Sequence, residues 1–520
     1  MSSASNNSHE FGQIQKLIWP IHNYELKKFL PLAFIMFCIL FNYTVLRDIK
    51  DVLVNNATGG TNALSFLKLS CVTPIAIRFV ISYAKLTTIF KNETVFYLVV
   101  TPFLIFYGLF AFFIGPNAEM LHPSKELIQT LHHTYPRLSG FIDIWAYWAY
   151  SLFYVLAEIW GSVMISLMFW QFANQIVRMN EAKRFYGMFV VISNIALIIS
   201  GQVVKFSCKP ELVKRFFPQA DWDFSMKLMM GAFVIIGLIS MAIYRWMHVA
   251  VLTDPRYYDA AGVSPKKKKQ KPGLIESAKI IFTSPELGLI ALLVMAYGVT
   301  INLMEVQWKN QVTMYFAGDK GAYGAFMGDF SSATGLFTML FSIFLGSNIL
   351  RKFSWFISAV ITPTIISIGG LVLFLFILSE RAEFLNEIVS SLLRVFSSNP
   401  LAAATFAGAG IVVAAKSIKY CLFDPTKEMA YIPLDDEIKT KGKAAVDVIG
   451  GRAGKAGGAA VQSLLAILLA TKDVVRFAPY TFFVFIGVSA GWLVAVKKLS
   501  KRVVGAVEKS KKEGANIGEA

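Results

Sequence analysis

Charge is what this 520-residue chain has least of: Asp, Glu, Lys and Arg make up 16% of it, against 55% hydrophobic residues. So little charge cannot cover the surface of a soluble protein this long, which excludes a cytosolic enzyme as well as a disordered chain. Cysteine is scarcer still. Cys38, Cys71, Cys208 and Cys421 are far apart and form no CxxC pair, so a disulfide scaffold and a redox dithiol are both excluded. The six histidines build no HExxH, none sits mid-span, and the adjacent His132 and His133 read as a solvated pair in a loop. The glycine-rich stretch Gly450–Gly458 lacks a phosphate-binding P-loop, because Ile449 and Ala456 stand where Gly and Ser or Thr are required. No catalytic nucleophile, metal set or cofactor motif remains, so the chain does not read as an enzyme. The first 29 residues have no apolar core of a cleaved signal, and the first span is expected to stay as an anchor.

What the chain has in abundance is apolar runs of membrane-spanning length. Twelve are expected, near 30–46, 64–83, 95–114, 141–170, 185–204, 227–247, 286–308, 323–346, 355–378, 400–422, 444–470 and 479–496. The fold class is an all-α polytopic membrane protein of about twelve transmembrane helices in two six-helix halves, of the major-facilitator type. The expected organisation is a segment 1–29, a half 30–248, a basic linker 249–285, a half 286–496 and a basic tail 497–520.

The net charge of +17 has two readings, nucleic-acid binding or the positive-inside bias of membrane loops. Loop assignment favours the second. With the N-terminus in the cytoplasm, the cytoplasmic side carries roughly twice the Lys and Arg of the far side. Both termini are then cytoplasmic, and no nucleic-acid partner is implied.

Ionisable residues inside spans are costly unless they face a cavity or a partner. Lys68 and Arg78 lie in the second span, about 15 Å apart along a helix. Glu158 lies deep in the fourth span and Glu305 in the seventh, within Asn302-Leu303-Met304-Glu305. Arg47, Asp48, Lys50 and Asp51 close the first span, either as an interfacial ion cluster or as an entry site for a polyanion. Between the tenth and eleventh spans a charged stretch runs from Lys416 through Lys427 to Lys443. Gly450, Gly454 and Gly458 form a small-residue stripe suited to close helix packing, with Arg452 and Lys455 on the same helix.

Four of these segments carry a resemblance. Phe41–Val54, Ala157–Val163, Ile301–Lys309 and Phe423–Leu434, followed by Lys441-Gly442-Lys443, resemble in order the ATP/ADP translocases of plastids and obligate intracellular bacteria. The resemblance implies import of host ATP in exchange for ADP, with phosphate as a candidate co-substrate, across a bacterial plasma membrane. The family's two Lys and two Glu map onto Lys68, Glu158, Glu305 and, near the eleventh span, Lys443, with Lys441 and Lys455 competing for the last place. Arg47, Lys50, Arg78, Asn302, Lys427 and Lys455 complete the candidate substrate-binding or gating residues. Tyr150 and Tyr154, at helical spacing with Tyr147, are candidate walls for the base. The alternatives are a relative that imports other nucleotides or NAD, with or without coupling to protons, and, more distantly, a membrane enzyme acting on nucleotides.

Overall fold

A computed structural model describes residues 19–55, 60–257, 284–394, 399–431, 446 and 450–517. Among these, every regular element is helical. Eleven helices are long and apolar enough to cross a membrane. We number the long helices α1 (Leu26–Asn55), α2 (Asn62–Ile89), α3 (Asn92–Ile114), α4 (Trp148–Ile176), α5 (Met179–Cys208) and α6 (Trp222–Val251). The second set is α7 (Pro285–Tyr315), α8 (Lys320–Lys352), α9 (Trp355–Ser379), α10 (Pro400–Ala430), α11 (Gly451–Leu468) and α12 (Ala478–Ile517). The eleventh expected span, 444–470, is a helix of its own, α11, but Arg452, Lys455 and its glycines leave it too polar to stand with the other eleven. The sequence also runs the fourth span back to 141. In the structure Ser139–Ala146 is a separate short helix, and α4 starts after a break at Tyr147.

Each set of six helices has its own apolar core. One is drawn from α1–α6 around Trp160, Phe153 and Phe233, the other from α7–α12 around Trp308, Phe374 and Trp492. Aromatic rings key the first core: Trp160 meets Phe103 and Phe233 edge-on at 5.4 and 4.9 Å. Glycines set the closest approaches. A Cβ at Gly161 would lie 2.3 Å from the Tyr43 ring, so only glycine lets α4 close on α1 beside Glu158. The glycine stripe of α11 does what its spacing suggests: Gly454 packs backbone to backbone on Gly298 of α7, and Gly458 on Asn302.

Successive spans alternate in direction, so α1, α5 and α7 finish at the end of the bundle opposite their starts, here called the far end. α2, α4, α8 and α10 begin there. The two sets of helices meet through α5 with α8, α2 with α11, and α1 with α7 and α8. Between described residues, every hydrogen bond and ion pair joining the sets lies between the far end and the middle. Asn55 donates to the Tyr323 hydroxyl at 2.6 Å, and Gln202 to the Ser332 hydroxyl at 2.8 Å. Lys205 pairs with Asp329 at 2.7 Å. Phe66, Val306, Ala466, Val474 and Phe477 add an apolar plug at the same end. Among the described residues, the hydrogen bonds and ion pairs between the two sets close one end of the bundle.

Candidate functional site

Two ion pairs stand at matching places in the two halves. In the first, Lys50 of α1 lies 3.0 Å from Glu158 of α4 and 2.9 Å from its neighbour Asp51, with its ammonium 4.0 Å from the centre of the Tyr154 ring. In the second, Lys416 of α10 lies 2.7 Å from Glu305 of α7, its ammonium 5.0 Å from the Phe330 ring. Each lysine is therefore neutralised by a carboxylate and backed by an aromatic face, the arrangement that makes a buried cation tolerable.

Lys68 sits between these pairs. It is half-buried, within electrostatic reach of Glu158, Glu305, Lys50 and Lys309, and its ammonium makes no hydrogen bond or ion pair with any described residue. Its place is set by an irregular helix. Residues Leu67–Val72 form a π-helical turn, in which Thr73 donates its N–H back to the Lys68 carbonyl. The next residue is Pro74, which has no N–H for the Ser70 carbonyl, so the helix widens instead of continuing. The same device recurs in the other half. Lys419–Phe423 is a π-helical turn just before Pro425, and Lys419 pairs from it with Asp424 at 2.8 Å.

The sequence groups Arg47, Asp48, Lys50 and Asp51 as an ion cluster but does not show that its partners lie in the other half. Asp51 is fully buried and accepts from Lys50 on one oxygen and, at 2.7 Å on the other, from Lys309 of α7. Asp48, equally buried, pairs with Arg47 at 3.1 Å and accepts from Ser331 of α8, whose hydroxyl also receives the Arg47 guanidinium at 2.6 Å. Lys416 was legible as a charge flanked by the apolar run of α10, and Lys309 as the end of the Glu305 motif. Asp51, Asp48 and Ser331 gave no signal beyond the alternation of charge in Arg47-Asp48-Ile49-Lys50-Asp51.

The remaining expected residues divide. Glu158, Glu305, Lys50, Arg47, Lys68 and Tyr154 gather in this region. Lys455 is exposed on α11 and within electrostatic reach of Glu158. Asn302 is buried and accepts from Gln462 of α11 at 3.3 Å, which makes it part of the α7–α11 seam. Arg78 is exposed with no ion pair among the described residues, and Lys427 lies 3.5 Å from Glu428 at the end of α10. Tyr150 packs on His122 and Phe110, away from the lysines. Lys443 and Lys441 lie outside the described residues. His132 is not a solvated residue. It binds Asp143 at 2.8 Å, and Asp143 also lies 3.7 Å from Lys472 of the other half, so the pair belongs to the far-end closure. Its partner stands eleven residues along the chain, across a helix break that periodicity does not reveal.

The family pattern described as TLC ATP/ADP transporter matches residues 4–503. The chain belongs to this family. Among family members it is similar to "ADP,ATP carrier protein 1" of Rickettsia prowazekii (strain Madrid E), 44% identical over 515 residues that cover 98% of this chain and 100% of the relative. It is also similar to "ADP,ATP carrier protein 1" of Chlamydia pneumoniae, 43% identical over 495 residues, 94% of each chain. These relatives are carriers, and this family member is a transporter and not an enzyme. Among solved structures it resembles a bacterial homologue of the iron transporter ferroportin in an inward-facing state, with a TM-score of 0.57 at 13% identity, covering 92% of this chain and all of that one. A POT family transporter in complex with a conjugated peptide gives 0.51, also at 13% identity, covering 91% of this chain and 96% of that one. At such identity the likeness is one of fold, and it places the chain in the major-facilitator architecture.

Proposed function

We propose that the protein exchanges ATP for ADP by alternating access, with the nucleotide polyphosphate held between the two halves at the level of Lys68. Membership of the TLC ATP/ADP transporter family, with near full-length identity above 40% to carriers of ADP and ATP, supports the exchange. The observation that supports the site is the half-buried ammonium of Lys68, unpaired among described residues and flanked by two neutralised lysines. A polyphosphate needs several cations in a low-dielectric cavity. Glu158 and Glu305 balance Lys50 and Lys416 while no nucleotide is present, which keeps the empty site near neutral.

The moving units in this reading are the halves 30–248 and 286–496, joined by the linker 249–285. In this reading both termini are cytoplasmic and the membrane is a bacterial plasma membrane, which the Lys- and Arg-rich loops and tail support; the far end then faces outward. Tyr154, already under Lys50, is the better placed of the two candidate tyrosines; Tyr150 lies too far toward the far end to meet the same ligand. Carrying phosphate with ADP would offset the extra charge of ATP, about 2.3 kcal/mol per charge per 100 mV.

The test is uptake of labelled ATP into liposomes holding the purified protein and preloaded with ADP, GDP or nothing. Uptake with ADP inside alone is the expected result. Equal uptake into empty liposomes would move the chain to net importers of nucleotides or NAD. Exchange that follows voltage but ignores internal phosphate would remove phosphate from the cycle.

A further inference from the structure

The far-end closure gathers several buried polar groups without partners among the described residues. Around the ends of α1 and α7 and the start of α2 it buries Asn62 and Gln311, both with neither side-chain polar atom hydrogen-bonded among the described residues, together with the Ser65 hydroxyl and one oxygen each of Asn55 and Gln307. A buried polar group left without a partner costs about 1–3 kcal/mol. A core that never opened would gain by replacing these groups, whereas a seam that opens to water satisfies them in its other state. Ionic contacts hold the seam shut across this cost, and among the described carboxylates Asp51 is the one that takes a lysine from each half.

Asp51 is shared. One oxygen takes Lys50 at 2.9 Å and the other takes Lys309 of the opposite half at 2.7 Å. Lys50 in turn holds Glu158, whose side chain is 28% exposed where Lys50 is 3% exposed. Four charges of alternating sign thus run from the open cavity to the closed seam: Glu158, Lys50, Asp51, Lys309. Resting on the site proposed above, we infer that Asp51 couples nucleotide binding to opening of the far end. A polyphosphate arriving beside Glu158 competes for Lys50. One ammonium cannot serve phosphate, Glu158 and Asp51 equally, so Asp51 is left with Lys309 as its single cation in a water-free seam. Such an under-compensated anion is costly, and opening the seam hydrates it. With no nucleotide in place, Asp51 keeps both lysines and the empty carrier stays shut, which is what exchange without net leak requires. Asp51 acts as a positioning residue and does not itself touch the nucleotide. The Arg47–Asp48–Ser331 link crosses between the same halves but ends on a hydroxyl and not on a second cation, so it holds the halves without this dependence on Lys50.

The test places a cysteine at buried Asn62 (Asn62→Cys) in proteoliposomes and follows its alkylation by a membrane-impermeant maleimide applied from the far side, with the chain lacking that substitution as control. Alkylation should rise about tenfold on adding ADP or ATP, within the range of ordinary coupling between sites. Adding Asp51→Asn should bring alkylation without nucleotide to that raised rate, remove the response to nucleotide, and allow ATP uptake into empty liposomes. Asp51→Glu, which keeps the charge, should restore the nucleotide response and so separates coupling from misfolding. If Asp51→Asn leaves alkylation low, whether or not it still responds to nucleotide, while Asp51→Glu behaves as the parent, the coupling role is overturned. If the Asn62→Cys parent itself ignores both ADP and ATP, it is the proposed nucleotide site that fails.

Discussion

The two lysine–glutamate pairs occupy equivalent places with opposite polarity. In the first half the cation is on the first helix and the anion on the fourth, Lys50 and Glu158; in the second half the anion is on the first and the cation on the fourth, Glu305 and Lys416. Their exposure differs in the same sense. Lys416 and Glu305 are similarly exposed, at 20% and 16%, whereas Lys50 is hidden behind Glu158 and rests on Asp51. An arriving anion therefore meets Lys416 directly, but reaches Lys50 only by displacing a carboxylate. The second half is built to receive, the first to respond.

The sharpest way to break this contrast is to remove the receiving cation. Lys416→Gln should lower ATP–ADP exchange about a hundredfold, toward the low end of the about 2–5 kcal/mol that truncating one member of a buried hydrogen-bonded pair costs, since this pair is only partly buried. Lys416→Arg should keep most of it, and counterflow rates in liposomes decide. Next in size, Glu158→Gln should tighten equilibrium ADP binding about tenfold, because it removes the competitor for Lys50, while turnover falls; this is ground-state relief at the expense of the moving step. If Glu305→Gln gives the same split between binding and turnover, the two halves do not differ as argued. Gly161→Ala drives a Cβ to 2.3 Å from Tyr43 and should cost about 1–3 kcal/mol, seen as a lower Tm in detergent. Gly458→Ala, at 2.8 Å from the Asn302 Cβ, should cost less.

The smallest effect concerns pH. Burial holds the His132 imidazole below its ordinary 6.5, outweighing the Asp143 carboxylate beside it, and Lys472 adds to the lowering. Closure at this contact is complete above pH 6.5 and weakens as pH falls below it, because protonation favours a released His132. Far-side alkylation at Asn62→Cys should therefore rise about twofold on acidification, and His132→Gln should flatten that dependence.

The fold was legible because a membrane leaves few alternatives: apolar runs of spanning length must be helices, and only α11, with two cations and a glycine stripe, fell between span and loop. Glu158, Glu305 and Lys68 were legible for the same reason, since a charge in an apolar run demands an explanation. Asp48 and Asp51 were not. They sit at the end of α1, where charges are ordinary, and only the approach of α7 and α8 makes them internal. Lys309 looked interfacial until the seam enclosed it. The sequence shows which charges are intramembrane but not which helix faces them, and partners from the other half are the contacts it conceals best.

Sealing at one end has an electrical consequence. In the alternating-access reading proposed above, water entering from the end opposite the seam carries the bulk potential of that side down to the lysines, so the membrane field does not fall evenly along the helices. It is concentrated across the dry seam of Asp51, Lys309, Asn62 and Gln311. Each charge that crosses this thin layer as the seam opens senses nearly the whole transmembrane voltage, about 2.3 kcal/mol per 100 mV, although it travels only a fraction of the bilayer thickness.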